Sequence, residues 1–195
     1  MLKKQIEKYL KDNKADGKLP LFTEESNILV ELGLVTADDI HIVENIERFP
    51  DLYLELANKE TDELVIEEVQ QTFLKEKINY LENHMEQYLS IESSAFDIIS
   101  AESFIMEVDS VFETYELLLG LQLPKKAEKN IRLFIEEHLE GDKVRYNLMF
   151  NGQDGLWEVN LPLEKIEGFH KDMTIAEAIK LAYLFLFDVS KSLEK

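Results

Sequence analysis

The chain has 195 residues, of which 45% are apolar, with no cysteine and a formal net charge of −19. That length and apolar content are enough to bury a core in one domain or two small ones, and the missing thiols exclude disulfides, thiolate zinc sites and cysteine nucleophiles. The N-terminal M-L-K-K-Q-I-E-K-Y-L has lysines but no continuous apolar stretch and no small-residue cleavage site, so neither a signal peptide nor a membrane anchor is expected and the expected location is cytoplasmic.

The charge is unevenly placed. Residues 1–18 hold six lysines against three acids, residues 24–116 twenty-four acids against four bases, and residues 125–195 thirteen acids against eleven bases. A field of this sign repels phosphate backbones and anionic lipid surfaces, so no nucleic acid is expected on the acidic region, no membrane is expected as a partner, and a basic protein partner is. Surplus carboxylates also serve solubility alone.

Leu2, Ile6, Tyr9 and Leu10 line one side of a short lysine-rich helix that gives way at Asp12, Asn13 and Gly17. After Pro20, Thr23 is placed to cap a helix carrying Ile28, Leu29, Val30 and Leu32, and Gly33 to end it in the left-handed conformation. Thr36 with Asp39 is a second cap signal, ahead of Ile40, Ile42, Val43 and Ile46, with Pro50 closing the element. From Asp51 to Asn58 the leucines at 52, 54 and 56 alternate as in a strand while the composition suits a helix. A helix is expected there, with a strand joining the later hairpin as the alternative.

Thr61 opens a longer helix to Leu89, striped by Ile66, Val69, Phe73, Leu74, Ile78, Leu81, Met85 and Tyr88. After a break at Ser90 to Ser94 and a turn at Ala95 to Ile99, Ser100 caps a further helix striped by Phe104, Val108, Val111, Tyr115 and Leu118. Gly120 and Pro124 stop it where the charge balance changes, which places an expected division between residues 1–120 and 121–195, or one continuous domain. Pro124 then begins a helix with Ala127, Ile131, Phe134, Ile135 and His138 on one side, closing near Gly141.

Val144, Tyr146, Leu148 and Phe150 alternate with polar neighbours, and beyond N-G-Q-D-G so do Trp157, Val159, Leu161 and Leu163. Two such runs around a Gly/Asn/Asp turn predict a hairpin pairing Phe150 with Trp157, Leu148 with Val159 and Tyr146 with Leu161. The last element, from Thr174 to Leu193, opens with a Thr174–Glu177 capping box and is apolar nearly all round, the mark of a buried helix.

No phosphate-cradling glycine loop, nucleophile elbow, zinc-protease or calcium-loop motif occurs. Asp38 with His41 and Glu167 with His170 have weak metal-ligand spacing, but a surface setting is favoured and no metal or cofactor is expected. His138 reads as a core-edge residue. No catalytic residue is assigned, because forty acids guarantee close pairs without singling one out.

Two sets of residues stand out as candidate sites. Glu102, Asp109, Glu113 and Glu116 fall on one flank of the helix expected after Ser100, at like-charge spacings with no lysine to offset them, as a docking face for a basic protein would have. Tyr146, Trp157 and Tyr183 offer an aromatic pocket between the hairpin and the last helix. The expected fold is α+β, mainly α: an acidic helical N-terminal part packed on a C-terminal α-β-β-α unit containing one β-hairpin. The expected function is that of a small acidic binding or regulatory protein without catalysis of its own. The alternatives are a small-molecule-binding or enzymatic domain at the aromatic pocket, and an oligomeric chaperone or scaffold forming a homodimer through the C-terminal helix.

Overall fold

The computed structural model describes every residue except 14–17, 67–68, 70 and 195, so Gly17 and part of the helix expected from Thr61 lie outside the described residues. Among the described residues the elements run α1 (Leu2–Asn13), β1 (Leu19–Leu21), α2 (Thr23–Glu31), β2 (Ile40–Ile42), β3 (Tyr53–Asn58), β4 (Leu64–Ile66), α3 (Asn79–Asn83), β5 (Gln87–Glu92), β6 (Ala101–Val108), β7 (Tyr115–Leu121), α4 (Glu128–His138), β8 (Asn147–Asn151), β9 (Leu156–Pro162) and α5 (Ile175–Ser192). Short 3-10 turns link several of them. Seven strands form one antiparallel sheet in the order β4-β3-β5-β6-β7-β9-β8, and β1 pairs in parallel with β2. The chain is therefore far richer in sheet than the mainly helical fold with a single hairpin that the sequence suggests.

Three segments account for the difference. Within residues 51–58 a strand replaces the expected helix, though not beside the β8–β9 hairpin: β3 lies between β4 and β5 and pairs along its whole length with β5, Leu54 opposite Ile91 and Leu56 opposite Leu89. Where one long helix is expected from Thr61 to Leu89, the described residues instead form β4, a 3-10 turn, the single-turn α3 and the start of β5. The helix expected after Ser100 is a hairpin of β6 and β7. Ser100 itself is left-handed, with φ 61°. The Asp109 carboxylate ends β6 by accepting the backbone N–H groups of Val111 and Phe112, at 2.8 and 2.7 Å. In the last of these segments Phe104 and Val108, two of the residues that suggested a helix, are four apart, a spacing that returns to the same side of a strand as well.

The Thr36–Asp39 box does form, with the Thr36 N–H 2.9 Å from the Asp39 carboxylate, but it opens only a 3-10 turn before β2. Elsewhere local chemistry acts as read. Gly33 (φ 68°) closes α2 with the Leu34 N–H on the Leu29 carbonyl and its own N–H on that of Val30, the Schellman pattern. The start of α2 is capped not by Thr23 but by Glu25, which accepts the Phe22 N–H at 3.0 Å. Thr174 and Glu177 cap α5 reciprocally. β8 and β9 pair with Phe150 opposite Trp157 and Leu148 opposite Val159, while the pairing ends at Asn147 and Asn160, so Tyr146 stays outside the ladder.

β7 straddles residues 120 and 121 and pairs with β6 on one side and β9 on the other. Buried apolar residues on either side of that point belong to one hydrophobic cluster. One face of the sheet, carrying Leu54, Leu89, Phe104, Met106, Leu117, Leu119 and Val159, is buried in this cluster with α5, whose Ile175, Ala178, Ile179, Ala182, Leu186 and Val189 are also buried. Phe96 joins the two, stacked on Phe104 at 4.1 Å and tilted against Tyr183 at 6.1 Å.

The core also holds an ion pair. Arg48 and Glu25 are fully buried, with Nε to Oε2 at 2.6 Å and Nη2 to Oε1 at 2.8 Å. Tyr9 of α1 accepts from Arg48 Nη1 at 3.1 Å, and Tyr183 of α5 donates to Glu25 Oε1 at 2.6 Å. The fork-shaped pair is thus satisfied on every side, the condition under which a buried ion pair is tolerated. It ties α1, α2 and α5 to one point.

Candidate binding face

Among the described residues, helices and turns cover one face of the sheet, and the other, the open face, carries half-buried and exposed side chains. Strand alternation sends Leu117, Leu119 and Leu121 of β7 inward and Glu116, Leu118 and Gly120 outward. Register then builds the open face row by row. Glu55, Ser90, Ile105, Leu118, Asn160 and Asn147 follow one another across six strands. In the next row Tyr88 is followed by Glu107 and Glu116. Glu92 and Ser103 lie on the other side of the first row, as do Glu158 and Met149.

The face is acidic and only partly neutralised. Glu55, Glu107, Glu116 and Glu158 are half-buried and Glu92 is exposed. Glu55 accepts from the Tyr53 hydroxyl at 2.7 Å, Glu116 from Thr114 at 2.8 Å and Glu158 from Asn151 at 2.9 Å. Among the described residues the cation paired with these glutamates is Lys59, 3.3 Å from Glu107. Glu107 and Glu116 face each other directly across β6 and β7, an arrangement of like charges that costs stability. Burial raises the Glu116 carboxyl above the ordinary range, opposed by the Thr114 hydrogen bond and reinforced by the charges of Asp109, Glu164 and Glu107.

Between these glutamates runs a strip of half-buried apolar residues, Ile105, Leu118 and Leu156, with Met149 exposed beside it. A cleft of about 450 Å³ opens there, lined by the three aliphatic side chains, Gly120, Glu158 and Asn160 among others. Gly120 matters to its floor: a Cβ at that position would meet Leu156 Cδ2 at 3.4 Å. The Asn160 Oδ1 is shielded from solvent without a hydrogen-bond partner, a state that costs about 1–3 kcal/mol.

The residues singled out from sequence are distributed differently from expectation. Glu102 and Glu116 lie on separate strands, and Asp109 and Glu113 in the turn between them, so no helical flank unites the four. Glu102 accepts from Gln122 at 2.5 Å, while the Asp109 carboxyl is held low by the N–H groups of Phe112 and Val111. Glu116 belongs to the open face, and Asp109 lies near enough to influence its charge. The turn displays Val111 and Phe112 to solvent, the latter under the Arg145 guanidinium at 5.4 Å. Tyr146, Trp157 and Tyr183 occupy three separate environments: Tyr146 donates to Glu136 at 2.9 Å, Trp157 packs edge-on against Phe150 at 5.1 Å, and Tyr183 belongs to the buried ion-pair network.

Glu55, Glu107, Glu158, Ile105, Leu118, Leu156 and Asn160 were not singled out in the sequence. For Leu118 the signal was L-L-L-G-L in β7, a strand apolar on both sides, which an antiparallel sheet bathed in water on one face does not require.

His138 is exposed and stacks on Phe134 at 3.9 Å, its Nδ1 2.8 Å from the Phe134 carbonyl oxygen. Among the described residues no group of three His, Asp or Glu side chains is placed to hold a metal ion, and no helix is long and apolar enough to cross a membrane. Comparison with known protein families, curated proteins and solved structures finds no match for this chain.

Proposed function

We propose that this is a binding protein that docks a basic segment of another protein over the open face of its sheet, with no chemistry of its own. The observation that carries the reading is the facing pair Glu107 and Glu116 beside an uncovered apolar strip. A sheet face kept only for solvation would separate its like charges and fill outward positions with polar residues. Here, repelling carboxylates flank aliphatic side chains, the composition of an interface whose rim is charged and whose centre is apolar. A partner bearing lysine or arginine relieves the repulsion and covers the strip together.

The test is capture from lysate with two baits, the wild-type chain and a Glu55→Lys, Glu116→Lys, Glu158→Lys variant. A protein held in stoichiometric amount by the wild type, released at high salt and not held by the variant supports the reading. Equal retention by both baits would move the interface elsewhere on the molecule.

A further inference from the structure

The geometry points to the open-face cleft as the seat of a single arginine side chain from the docked partner. This inference rests on the function proposed above and adds the residue that anchors the contact. Three aliphatic side chains, Ile105, Leu118 and Leu156, wall the cleft, and Gly120 leaves its floor open. Its polar lining is Ser103, Asn147, Glu158 and Asn160, and the last two supply neighbouring acceptor oxygens. Glu158 and Asn160 stand two positions apart on β9, facing the same way, roughly 7 Å between backbones, and Asn160 Oδ1 has no partner. A cleft of about 450 Å³ with greasy walls and two acceptors suits a long stem ending in a donor-rich cation.

A guanidinium fits this set better than an ammonium. Its planar fork bridges two separated acceptors, and its faces, more weakly hydrated, lie against aliphatic walls at less cost. The arginine stem runs along Leu118 and Leu156, one edge of the fork donates to the Glu158 carboxylate, and the other reaches the Asn160 carbonyl oxygen, which turns out of its shielded position to accept it. The Asn151 amide, which already donates to Glu158 at 2.9 Å, holds that carboxylate in place.

The probe is Nα-acetyl-arginine methylamide, titrated into the full chain and followed by amide chemical shifts. The matched lysine compound and the uncharged isostere citrulline are run alongside. Saturable shifts at Leu118, Gly120, Leu156, Glu158 and Asn160, with a dissociation constant on the order of millimolar, are expected for arginine. Citrulline should bind about tenfold more weakly, and Glu158→Gln, which keeps the shape and the Asn151 contact, should weaken arginine about tenfold. Binding of citrulline or lysine as tight as arginine, shifts scattered over the acidic surface, or no saturation at tens of millimolar would each overturn the assignment. If the arginine probe fails while the charge-reversed bait still loses its partner, the anchor is wrong and the face stands; if both fail, the face is wrong too.

Discussion

Glu25 and Arg48 carry full charges at zero exposure, and each depends on the other. Removing one partner leaves a buried charge uncompensated, so Glu25→Gln should lower the unfolding free energy by about 3–5 kcal/mol, read from urea titration. A loss under about 1 kcal/mol would mean that water reaches Arg48. Tyr183 adds a pH dependence. Burial, with the Glu25 charge added, holds its hydroxyl protonated well above the ordinary tyrosine range, while an unfolded tyrosine ionises near pH 10. Its contribution is therefore complete below about pH 10 and is lost as the pH rises from there toward the folded value. The urea midpoint of the wild type should fall over about pH 10–12, and fall less in Tyr183→Phe. Identical slopes would place the alkaline sensitivity in other groups.

Between elements, the facing glutamates of β6 and β7 set a second prediction. Because burial raises the Glu116 carboxyl, its ionised form opposes folding at neutral pH. Glu116→Gln should stabilise the chain by less than about 1 kcal/mol, since the site is half open to solvent screening. The gain should vanish as the pH falls through the carboxylate range, where folded and unfolded chains both hold the proton. Destabilisation by this change at pH 7 would mean that the Thr114 hydrogen bond outweighs the repulsion.

The same two strands show what the sequence could and could not reveal. Elements fixed by local chemistry were legible: the Schellman close of α2, the capping box of α5, and the β8–β9 hairpin with its clean alternation around an Asn/Gly/Asp turn. β6 and β7 were not, because Ile105 and Leu118 put apolar residues on the outward face and blurred the alternation into a helical stripe. Those two residues now wall the cleft. A sequence reads poorly where its residues answer to something beyond the fold. Of the four acids expected on one flank, Glu116 alone lies on the open face, since a helix gathers residues three and four apart while a hairpin separates them by register. The buried pair was invisible for another reason: Glu25 and Arg48 lie 23 positions apart, and nothing local marks them as partners.

For the molecule as a whole, a net charge of −19 on 195 residues means that self-repulsion works against the folded state at neutral pH. Raising sodium chloride from about 0.01 to 0.5 M shortens the Debye length from roughly 30 Å to a few ångströms, and the melting temperature should rise. A fall would show that the surface ion pairs, such as Lys77 with Asp172 at 2.6 Å and Lys171 with Glu82 at 3.0 Å, outweigh the repulsion.

The position of α5 in the sequence has a consequence during translation. It follows every strand among the described residues, so on a ribosome adding about 5–20 residues each second the sheet emerges before the helix that packs behind it. For that interval the inner face of the sheet lacks the cover of α5, and the nascent chain is more prone to cluster with its neighbours. The glutamates of the open face are by then already made. Like charges on neighbouring copies repel, so these carboxylates oppose such clustering.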